Sequence, residues 1–243
     1  MATKNDFIVT PAIVLRRADY GDYDRMVTLF SPEYGKISAI ARGVKRPKAR
    51  LSSATEPLCV GEYQLHERSG RYAIEQCMIK DAYFPIRCDY DKLVHAAYWL
   101  KLAEAAVVED VPNPELFHLL MTALEALVKN PLPLALTTFA FESHYMELAG
   151  MSPYMHECVL CGAEPTGRDG FSAFAGGLVC PRHPDGLPIS EGARRILMKL
   201  PRTRFEQYVL LNDRPEWREA AGRLRAFVDY HIEAAIKQYP EIG

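Results

Sequence analysis

Between residues 7 and 80, hydrophobic and polar residues alternate with a period of two, and turn-forming residues interrupt the pattern at short intervals. Successive side chains of a β-strand point to opposite faces, so this alternation predicts strands with one buried face. The pattern predicts five strands, over residues 12–15, 26–30, 36–41, 58–67 and 72–80. A phase change near Gly61 indicates a β-bulge in the fourth strand, and Ser69-Gly70 predicts the tip of a hairpin.

After Pro85 the hydrophobic residues recur three and four positions apart. That spacing places them on one face of an amphipathic helix. It predicts helices over residues 93–107, 115–128, 134–148, 191–200 and 215–237. Asp89 or Asp91 is positioned to cap the first helix, Asn130-Pro131 to end the second, and Ser190 to cap the fourth.

Strands followed by helices predict an α+β protein with two domains. Five short strands favour a small closed barrel such as the OB-fold, although the strand pattern alone also allows a β-sandwich. We therefore predict a barrel domain at residues 1–81 and a helical domain at residues 82–243. The helical pattern is interrupted at residues 154–187, which we expect to form an insertion in the helical domain.

The composition is typical of a globular chain with a buried core, since 49% of the 243 residues are hydrophobic and 25% are charged. No hydrophobic run approaches the roughly 18 residues of a transmembrane helix, and we expect no membrane association. With six cysteines and no signal peptide, we expect the reducing cytoplasm as the compartment.

The net charge of −2 conceals an uneven distribution. Residues 1–80 carry 13 lysines and arginines against 9 acidic residues, a net charge of +4. The remainder carries 16 against 22, a net charge of −6. The overall charge argues against a nucleic-acid-binding protein, whereas the basic first part of the chain is consistent with one.

Two pairs of potential metal ligands follow the third predicted helix: Cys158 and Cys161 in C-V-L-C-G, and Cys180 and His183 in C-P-R-H. Two residues separate the members of each pair, which lets a tight turn direct both side chains at one ion. Three thiols and one imidazole form the ligand set of a tetrahedral zinc site. Because protein fills all four positions, no place is left for water or substrate, and we predict one structural Zn²⁺ ion.

Other interpretations explain this segment less completely. Three buried cysteines account for the thiols but not for their paired spacing or for the histidine. A disulfide requires an oxidising compartment. A zinc deaminase needs H-x-E followed by P-C-x-x-C, with the glutamate free, whereas here Glu157 lies directly between His156 and Cys158. His156 is a competing ligand, but it lies outside the paired spacing.

A second informative stretch, R-G-V-K-R-P-K-A-R, follows the third predicted strand and is called the basic loop. Its five cations have no acidic residue among them and are Arg42, Lys45, Arg46, Lys48 and Arg50. Such a loop can bind a phosphate backbone without reading its sequence; the alternative is a solvated loop that aids solubility. Four further cations are candidates to extend this surface: Arg16, Arg17, Arg25 and Lys36.

Two further groups of residues have more than one interpretation. Five tyrosines in the first domain either offer stacking surfaces for unpaired bases or pack in the barrel: Tyr20, Tyr23, Tyr34, Tyr63 and Tyr72. Five cations near the fourth helix form either a second contact, for nucleic acid or an acidic peptide, or a solvated helix face: Arg194, Arg195, Lys199, Arg202 and Arg204.

The sequence carries no P-loop, no G-x-S-x-G, no H-E-x-x-H and no G-x-G-x-x-G motif. Its acidic residues are scattered rather than paired for a nuclease metal. We therefore expect a binding protein and not an enzyme. Two alternatives remain: a zinc-stabilised adaptor for protein–protein interaction whose DNA binding is incidental, and a metal-dependent enzyme whose site the order of residues hides.

Three stretches carry a family resemblance: T-P-A-I-V-L-R-R-A-D-Y-G-D-Y-D-R, F-S-P-E-Y-G-K-I-S-A-I-A-R-G-V-K-R-P, and C-V-L-C-G with G-G-L-V-C-P-R-H. In these stretches the chain resembles RecO, the bacterial family of recombination mediators in DNA repair. The resemblance implies an N-terminal OB-fold, a helical C-terminal domain and a zinc-ribbon-like insertion. Some members of the family lack the cysteines, whereas this sequence retains all four ligands.

The resemblance also implies a function in the RecF-type pathway of recombination. It implies binding to single- and double-stranded DNA and annealing of complementary strands without a nucleotide. The implied partners are RecR and the acidic, hydrophobic tail of single-stranded-DNA-binding protein, with which the family helps to load the RecA recombinase. The expected location is the bacterial cytoplasm, in association with the nucleoid.

Overall fold

The computed structural model describes residues 7–68, 70–129, 132–183 and 185–232. It divides the chain into two compact units, residues 1–120 and 121–243. The last strand of the barrel ends at Asp81, but the first unit continues beyond it because the following helices pack against the strands.

Five strands close the barrel in the order β1-β2-β3-β5-β4. They are β1 (Phe7–Tyr20), β2 (Asp24–Ser31), β3 (Gly35–Ala41), β4 (Val60–Arg68) and β5 (Arg71–Asp81). All neighbours are antiparallel except β3 and β5, which pair in parallel over two residues each. The structure confirms the α+β class and the five-stranded barrel, and it excludes the β-sandwich.

Strand β1 is much longer than the predicted strand at residues 12–15, because it pairs with two neighbours in succession. Its first half pairs with β4 up to Ile13, and its second half pairs with β2 from Ile13 to Tyr20. A bulge between Val14 and Arg16 marks the change of partner. Residues 16–20 are exposed, so the loss of hydrophobic alternation there hid the second half of the strand from sequence analysis.

The interior of the barrel is filled by alternate residues of all five strands, and its members include Val14, Val27, Ala39, Leu65 and Ile74. The predicted bulge is present, since the register of β4 against β5 shifts between Val60 and Gly61. A Cβ atom at Gly61 would lie 2.7 Å from Sγ of Cys77 and 2.8 Å from the carbonyl oxygen of Met78. No side chain fits there without displacing β5.

The helices of the first unit are α1 (Phe84–Arg87), α2 (Tyr90–Ala106) and the beginning of α3 (Pro114–Lys129). Asp89 caps α2, and its side chain accepts a hydrogen bond of 3.1 Å from the backbone N–H of Lys92. The segment between α2 and α3 contacts the β2–β3 turn, where the N–H of Lys36 donates to the carbonyl of Val108 at 3.0 Å.

The second unit contains the rest of α3, and α4 (Leu134–Leu148), α5 (Glu191–Lys199) and α6 (Glu216–His231). Most of α4 is buried, and it packs against α6. As predicted, the side chain of Ser190 caps α5, accepting from the N–H of Ala193 at 3.2 Å. The predicted stop at Asn130-Pro131 and the predicted end of the last helix at residue 237 lie outside the described residues.

A small three-stranded sheet lies between α4 and α5 in the chain, in the order β7-β6-β8. Its strands are β6 (Gly170–Ser172), β7 (Gly177–Val179) and β8 (Leu187–Pro188). Strands β6 and β7 form a hairpin, and Gly176 in its turn has a φ of +95°. A Cβ atom at Gly177 would lie 2.0 Å from the carbonyl oxygen of Tyr154, so this glycine permits close approach of the preceding chain.

Among the described helices, none combines the length and the hydrophobicity that a membrane crossing requires.

Candidate metal centre and nucleic-acid interface

The four predicted metal ligands converge in the second unit. The ligand atoms of Cys158, Cys161, Cys180 and His183 all lie within 4.8 Å of one another. Nδ1 of His183 is 3.5 Å from Sγ of Cys158 and 3.4 Å from Sγ of Cys180. Sγ of Cys161 is 3.7 Å from Sγ of Cys180. The four residues that the sequence pattern pairs therefore lie close together in the structure.

These separations agree with the edges of a tetrahedron around one metal ion. With zinc–sulfur bonds of about 2.3 Å and zinc–nitrogen bonds of about 2.0–2.1 Å, tetrahedral geometry places two sulfurs about 3.8 Å apart. It places a sulfur and a nitrogen about 3.5 Å apart. The donor set and its spacing thus fit a metal ion bound by protein alone.

Two turns direct the ligands. In the first turn, the N–H of Gly162 donates to the carbonyl of Cys158 at 2.8 Å, and Gly162 has a φ of +69°. In the second turn, the N–H of His183 donates to the carbonyl of Cys180 at 2.8 Å. Cys180 directly follows β7, so the hairpin delivers the second pair of ligands to the first.

The pKa values of the thiols show how the cluster accommodates negative charge. Burial raises the pKa of Cys158, but backbone N–H donors that include those of Cys180 and Leu160 outweigh burial and lower it to about 6. For Cys161, a backbone donor lowers the pKa, while burial and the neighbouring thiols raise it above its usual value. Three thiolates in one cluster repel one another, and a bound cation removes that repulsion.

One cation of the protein itself lies beside the cluster. The guanidinium of Arg182 donates to Sγ of Cys161 at 3.3 Å. His156, the competing ligand in the sequence, is not part of the cluster, and its ring lies 5.5 Å from that of Tyr154. Among the described residues of this segment, the four ligands are thus the one group that could hold a metal ion, and Arg182, directly before His183, contacts it from outside.

In the first unit, the basic loop at residues 42–50 is anchored against the β1–β2 turn. The N–H of Lys45 donates to the carbonyl of Tyr23 at 3.0 Å, and the N–H of Gly43 donates to the Asp24 carboxylate at 2.8 Å. Val44 is only 2% exposed and packs in the core of the barrel. The backbone of the loop is thereby fixed while its long side chains extend outwards.

The five cations of the basic loop differ in their contacts. The ammonium of Lys45 lies 2.9 Å from the Asp19 carboxylate and lowers the pKa of that carboxyl. The guanidinium of Arg46 lies over the ring of Tyr23, 5.1 Å from its centroid. The remaining three are exposed and form no ion pair with any residue that the structure describes: Arg42, Lys48 and Arg50.

The two arginines in the second half of β1 are paired with acidic residues. Nε of Arg16 lies 2.9 Å from the Glu104 carboxylate. Nε of Arg17 lies 3.1 Å from the Glu56 carboxylate. The neighbouring carboxylate partly neutralises each guanidinium, so these two arginines attract a phosphate less strongly than the unpaired cations of the basic loop.

Arg25 and Lys36 differ from the cations of the basic loop in their burial. The side chain of Arg25 is only 12% exposed and lies between the carboxylates of Glu56, at 3.0 Å, and Asp19, at 3.6 Å. Lys36 is half-buried, and its backbone binds the segment between α2 and α3. Arg25 thus belongs to the network that holds the turn, and it contributes little to an exposed basic surface.

The five tyrosines separate by exposure. Tyr63 is fully buried and donates to the carbonyl of Ala54 at 2.7 Å. Tyr34 and Tyr72 are half-buried and pack against the core of the barrel. Tyr20 and Tyr23 are 57% and 50% exposed, on either side of the β1–β2 turn. The structure thus leaves two of the five rings open to a ligand.

The basic residues near α5 are largely engaged in ion pairs. Glu191 accepts from Arg194 and from Arg195, each at 2.7 Å, and the arginines lower the pKa of its carboxyl to about 2. Arg202 pairs with Glu147 at 3.7 Å. Arg204 pairs with Glu206 at 3.8 Å, and Lys199 is exposed.

Comparison with known families agrees with the barrel, the helices and the ligand cluster. Residues 6–83 match the family described as "Recombination protein O N terminal", and residues 87–240 match "Recombination protein O C terminal". The chain belongs to the RecO family. Among its relatives, the DNA repair protein RecO of Anaeromyxobacter sp. (strain K) is 33% identical, over 98% of each chain.

Two RecO proteins from other bacteria have a similar sequence identity to this chain. The DNA repair protein RecO of Exiguobacterium sp. is 31% identical over 91% of this chain and 88% of its own length. The DNA repair protein RecO of Alkaliphilus metalliredigens is 35% identical over 71% of this chain and 70% of its own length. RecO proteins act in DNA repair and recombination and form a non-catalytic family, which removes the metal-dependent enzyme from the alternatives.

The acidic residues that shape the basic surface could not be identified from the sequence. Asp19, Asp24 and Glu56 hold the loop and neutralise neighbouring arginines through contacts between residues far apart in sequence. Charge counting along the chain cannot detect such pairs, because it treats every lysine and arginine as equally free. The position of Asp19 and Asp24 beside a turn was their only local signal.

Proposed function

We propose that this member of the RecO family binds single- and double-stranded DNA through the barrel at residues 1–81, chiefly through the basic loop. On this proposal it anneals complementary strands and assists RecA loading together with RecR and the tail of single-stranded-DNA-binding protein, at the bacterial nucleoid. The proposed contacts are Arg42, Lys45, Arg46, Lys48 and Arg50, with a smaller part for Arg16, Arg17 and Lys36.

The observation that carries the proposal is the exposure of three unpaired cations on an anchored loop. Arg42, Lys48 and Arg50 can bind phosphate without first losing a carboxylate partner. Their attraction to a polyanion arises mainly from release of condensed counterions, which does not depend on base sequence. The fixed backbone of the loop reduces the conformational entropy lost on binding.

Sequence-independent binding suits strand annealing. Two complementary strands repel each other through their phosphates, and a basic protein surface lowers that repulsion while leaving the base edges free to pair. Annealing by this route needs no nucleotide hydrolysis. The roles of RecR, RecA and single-stranded-DNA-binding protein are proposed from family membership, and no contact surface for them is assigned.

We further propose that the ion held by Cys158, Cys161, Cys180 and His183 is one structural Zn²⁺. A set of three thiolates and one imidazole suits zinc in tetrahedral geometry. The ligands themselves fill the four positions of a tetrahedron, so the ion stabilises the small sheet and its turns and takes no part in a reaction.

The test of DNA binding is a triple substitution, Arg42→Ala, Lys48→Ala and Arg50→Ala. Each lost phosphate contact lowers the slope of log affinity against log salt by about 0.7 for single strands, so we expect a fall of about 2 in its magnitude. Affinity for a labelled oligonucleotide is measured by fluorescence anisotropy at several salt concentrations. An unchanged slope would refute the assignment of the basic loop.

The matched control removes three cations from the second unit, by Arg195→Ala, Arg202→Ala and Arg204→Ala. It changes the net charge by the same amount, and all three residues have carboxylate partners. We expect its salt slope to stay close to that of the unaltered protein. An equal fall in both variants would mean that DNA binding follows overall charge and not the basic loop.

A further inference from the structure

The β1–β2 turn places an aromatic ring within the basic surface. Tyr20 and Tyr23 flank Gly21, whose φ of +62° sets the turn, and both rings are at least half exposed. Tyr23 is tied to the basic loop by two contacts: its carbonyl accepts from the N–H of Lys45, and its ring lies beneath Arg46. The ring is therefore held next to Arg46 and next to the backbone of the basic loop.

This arrangement has the two components of a single-strand binding site. Cations follow the phosphates, and an aromatic face stacks with a base. The guanidinium over one face of the ring adds a second planar group, which can stack on a base or attract its π system. Bases within a duplex are already stacked on their neighbours and cannot occupy such a face without being unpaired.

We propose that Tyr23, together with Arg46, stacks with an unpaired base and so gives the basic surface a preference for single-stranded over double-stranded DNA. The inference rests on the proposed DNA binding and adds to it the state of the strand that the surface selects. The basic loop supplies charge attraction to either form of DNA, whereas the ring of Tyr23 contributes only where a base is free.

The burial of the other tyrosines favours Tyr23 for this role. Tyr63 lies inside the barrel, and Tyr34 and Tyr72 are packed against its core. Tyr20 is exposed on the other side of the turn. Of the five, Tyr23 is the ring for which the structure shows both exposure and contact with a cation of the basic loop.

The experiment compares affinities for an oligothymidylate and for a duplex of equal length, at one low salt concentration and across a salt series. The variants are Tyr23→Leu, which removes the aromatic face, and Tyr23→Phe, which keeps it. Tyr90→Leu is the matched control, because Tyr90 is a 76% exposed tyrosine in α2 of the same unit.

For Tyr23→Leu we expect at least about a five-fold loss of affinity for the single strand, the lower end of the effect of one base–aromatic stack. Duplex affinity and both salt slopes should stay unchanged, because no phosphate contact is removed. Tyr23→Phe and Tyr90→Leu should keep the single-strand affinity within about two-fold, since stacking requires the ring and not the hydroxyl.

A second measurement detects the stacking of the base directly. The fluorescence of 2-aminopurine placed in the single strand falls when that base stacks on a ring. We expect quenching on binding to the unaltered protein and to Tyr23→Phe, and weaker quenching with Tyr23→Leu at saturating protein concentration.

The possible outcomes separate the two proposals. If the unaltered protein binds DNA with a steep salt slope but Tyr23→Leu loses nothing, or loses single-strand and duplex affinity equally, the stacking role is overturned and the DNA-binding role stands. An equal loss in Tyr90→Leu also overturns it. If the unaltered protein binds neither form of DNA at low salt, the proposed function itself fails.

Discussion

At the scale of single residues, two glycines with the same backbone conformation show what the packing demands. Gly21 and Gly35 both have a φ of +62°. A Cβ atom at Gly21 would meet nothing within 4 Å, whereas at Gly35 it would lie 2.3 Å from the carbonyl oxygens of both Val108 and Val111. Gly35 therefore permits the segment between α2 and α3 to approach the β2–β3 turn.

We expect Gly35→Ala to lower the free energy of unfolding more than Gly21→Ala. The left-handed backbone costs an alanine about 1–2 kcal/mol at either position. The clash with backbone atoms adds to this cost at Gly35 alone. Urea denaturation followed by circular dichroism measures the free energy of unfolding of both variants. Equal losses of stability would show that the backbone at Val108 and Val111 can move away from Gly35 without an energetic cost.

Residue-level contacts also set the limit of prediction from sequence. The metal ligands could be predicted because they are close in sequence, and the turn geometry that joins each pair is local. The pairing of Arg16 and Arg17 with carboxylates, which weakens their attraction for phosphate, could not be predicted. Their partners Glu104 and Glu56 lie far away along the chain. A pairwise contact between distant residues leaves no pattern in one sequence.

At the scale of elements, the hydrophobic pattern predicted the type of each long strand and helix but not every boundary. The helix at Leu134–Leu148 has the predicted bounds, because proline and glycine flank it and its interior is apolar. Strand β1 extends five residues beyond each end of the predicted strand, and its exposed second half is stabilised by pairing with β2 and not by burial. The strands of the small sheet are only two or three residues long, too short for any periodicity.

We expect the small sheet to depend in part on a metal ion bound by the ligand cluster. Its strands are short, and the hydrophobic cluster of Cys158, Val179 and Cys180 has only three partly buried side chains packed against it. Structural zinc can contribute roughly 10–16 kcal/mol of apparent free energy in small finger peptides. The helices of the second unit have their own core, so we expect a smaller and local loss here.

We expect Cys158→Ser to release the metal and to lower the thermal stability of the second unit. The DNA affinity of the protein that remains folded should change much less. Atomic emission spectrometry should find one zinc ion per chain in the unaltered protein and a clear deficit in the variant.

Cys88→Ser is the control for the zinc experiment, because Cys88 is an exposed cysteine outside the cluster. It should keep both the metal and the stability of the unaltered protein. A Cys158→Ser variant that stays equally stable but no longer binds DNA would instead place the metal at the DNA surface.

At the scale of the whole molecule, the charge distribution and the fold support a protein that binds a polyanion without reading its sequence. The basic part of the chain coincides with the barrel, and three of its exposed cations without an ion pair to a described residue lie together on the basic loop. The net charge of −2 would suggest the opposite, because it averages over an acidic second part. The basic loop is visible in the sequence, whereas the structure shows that three of the eight proposed contacts, Arg16, Arg17 and Lys45, already lie beside a carboxylate.

The most direct test of the central claim is the salt dependence of single-strand binding by the unaltered protein. Fluorescence anisotropy with two labelled oligonucleotides of equal length and different sequence gives the affinities. We predict similar affinities for both, and a salt slope of magnitude about 2 or more, as three or more phosphate contacts require. Absence of binding at low salt would contradict the account and leave the zinc-stabilised adaptor as the better explanation.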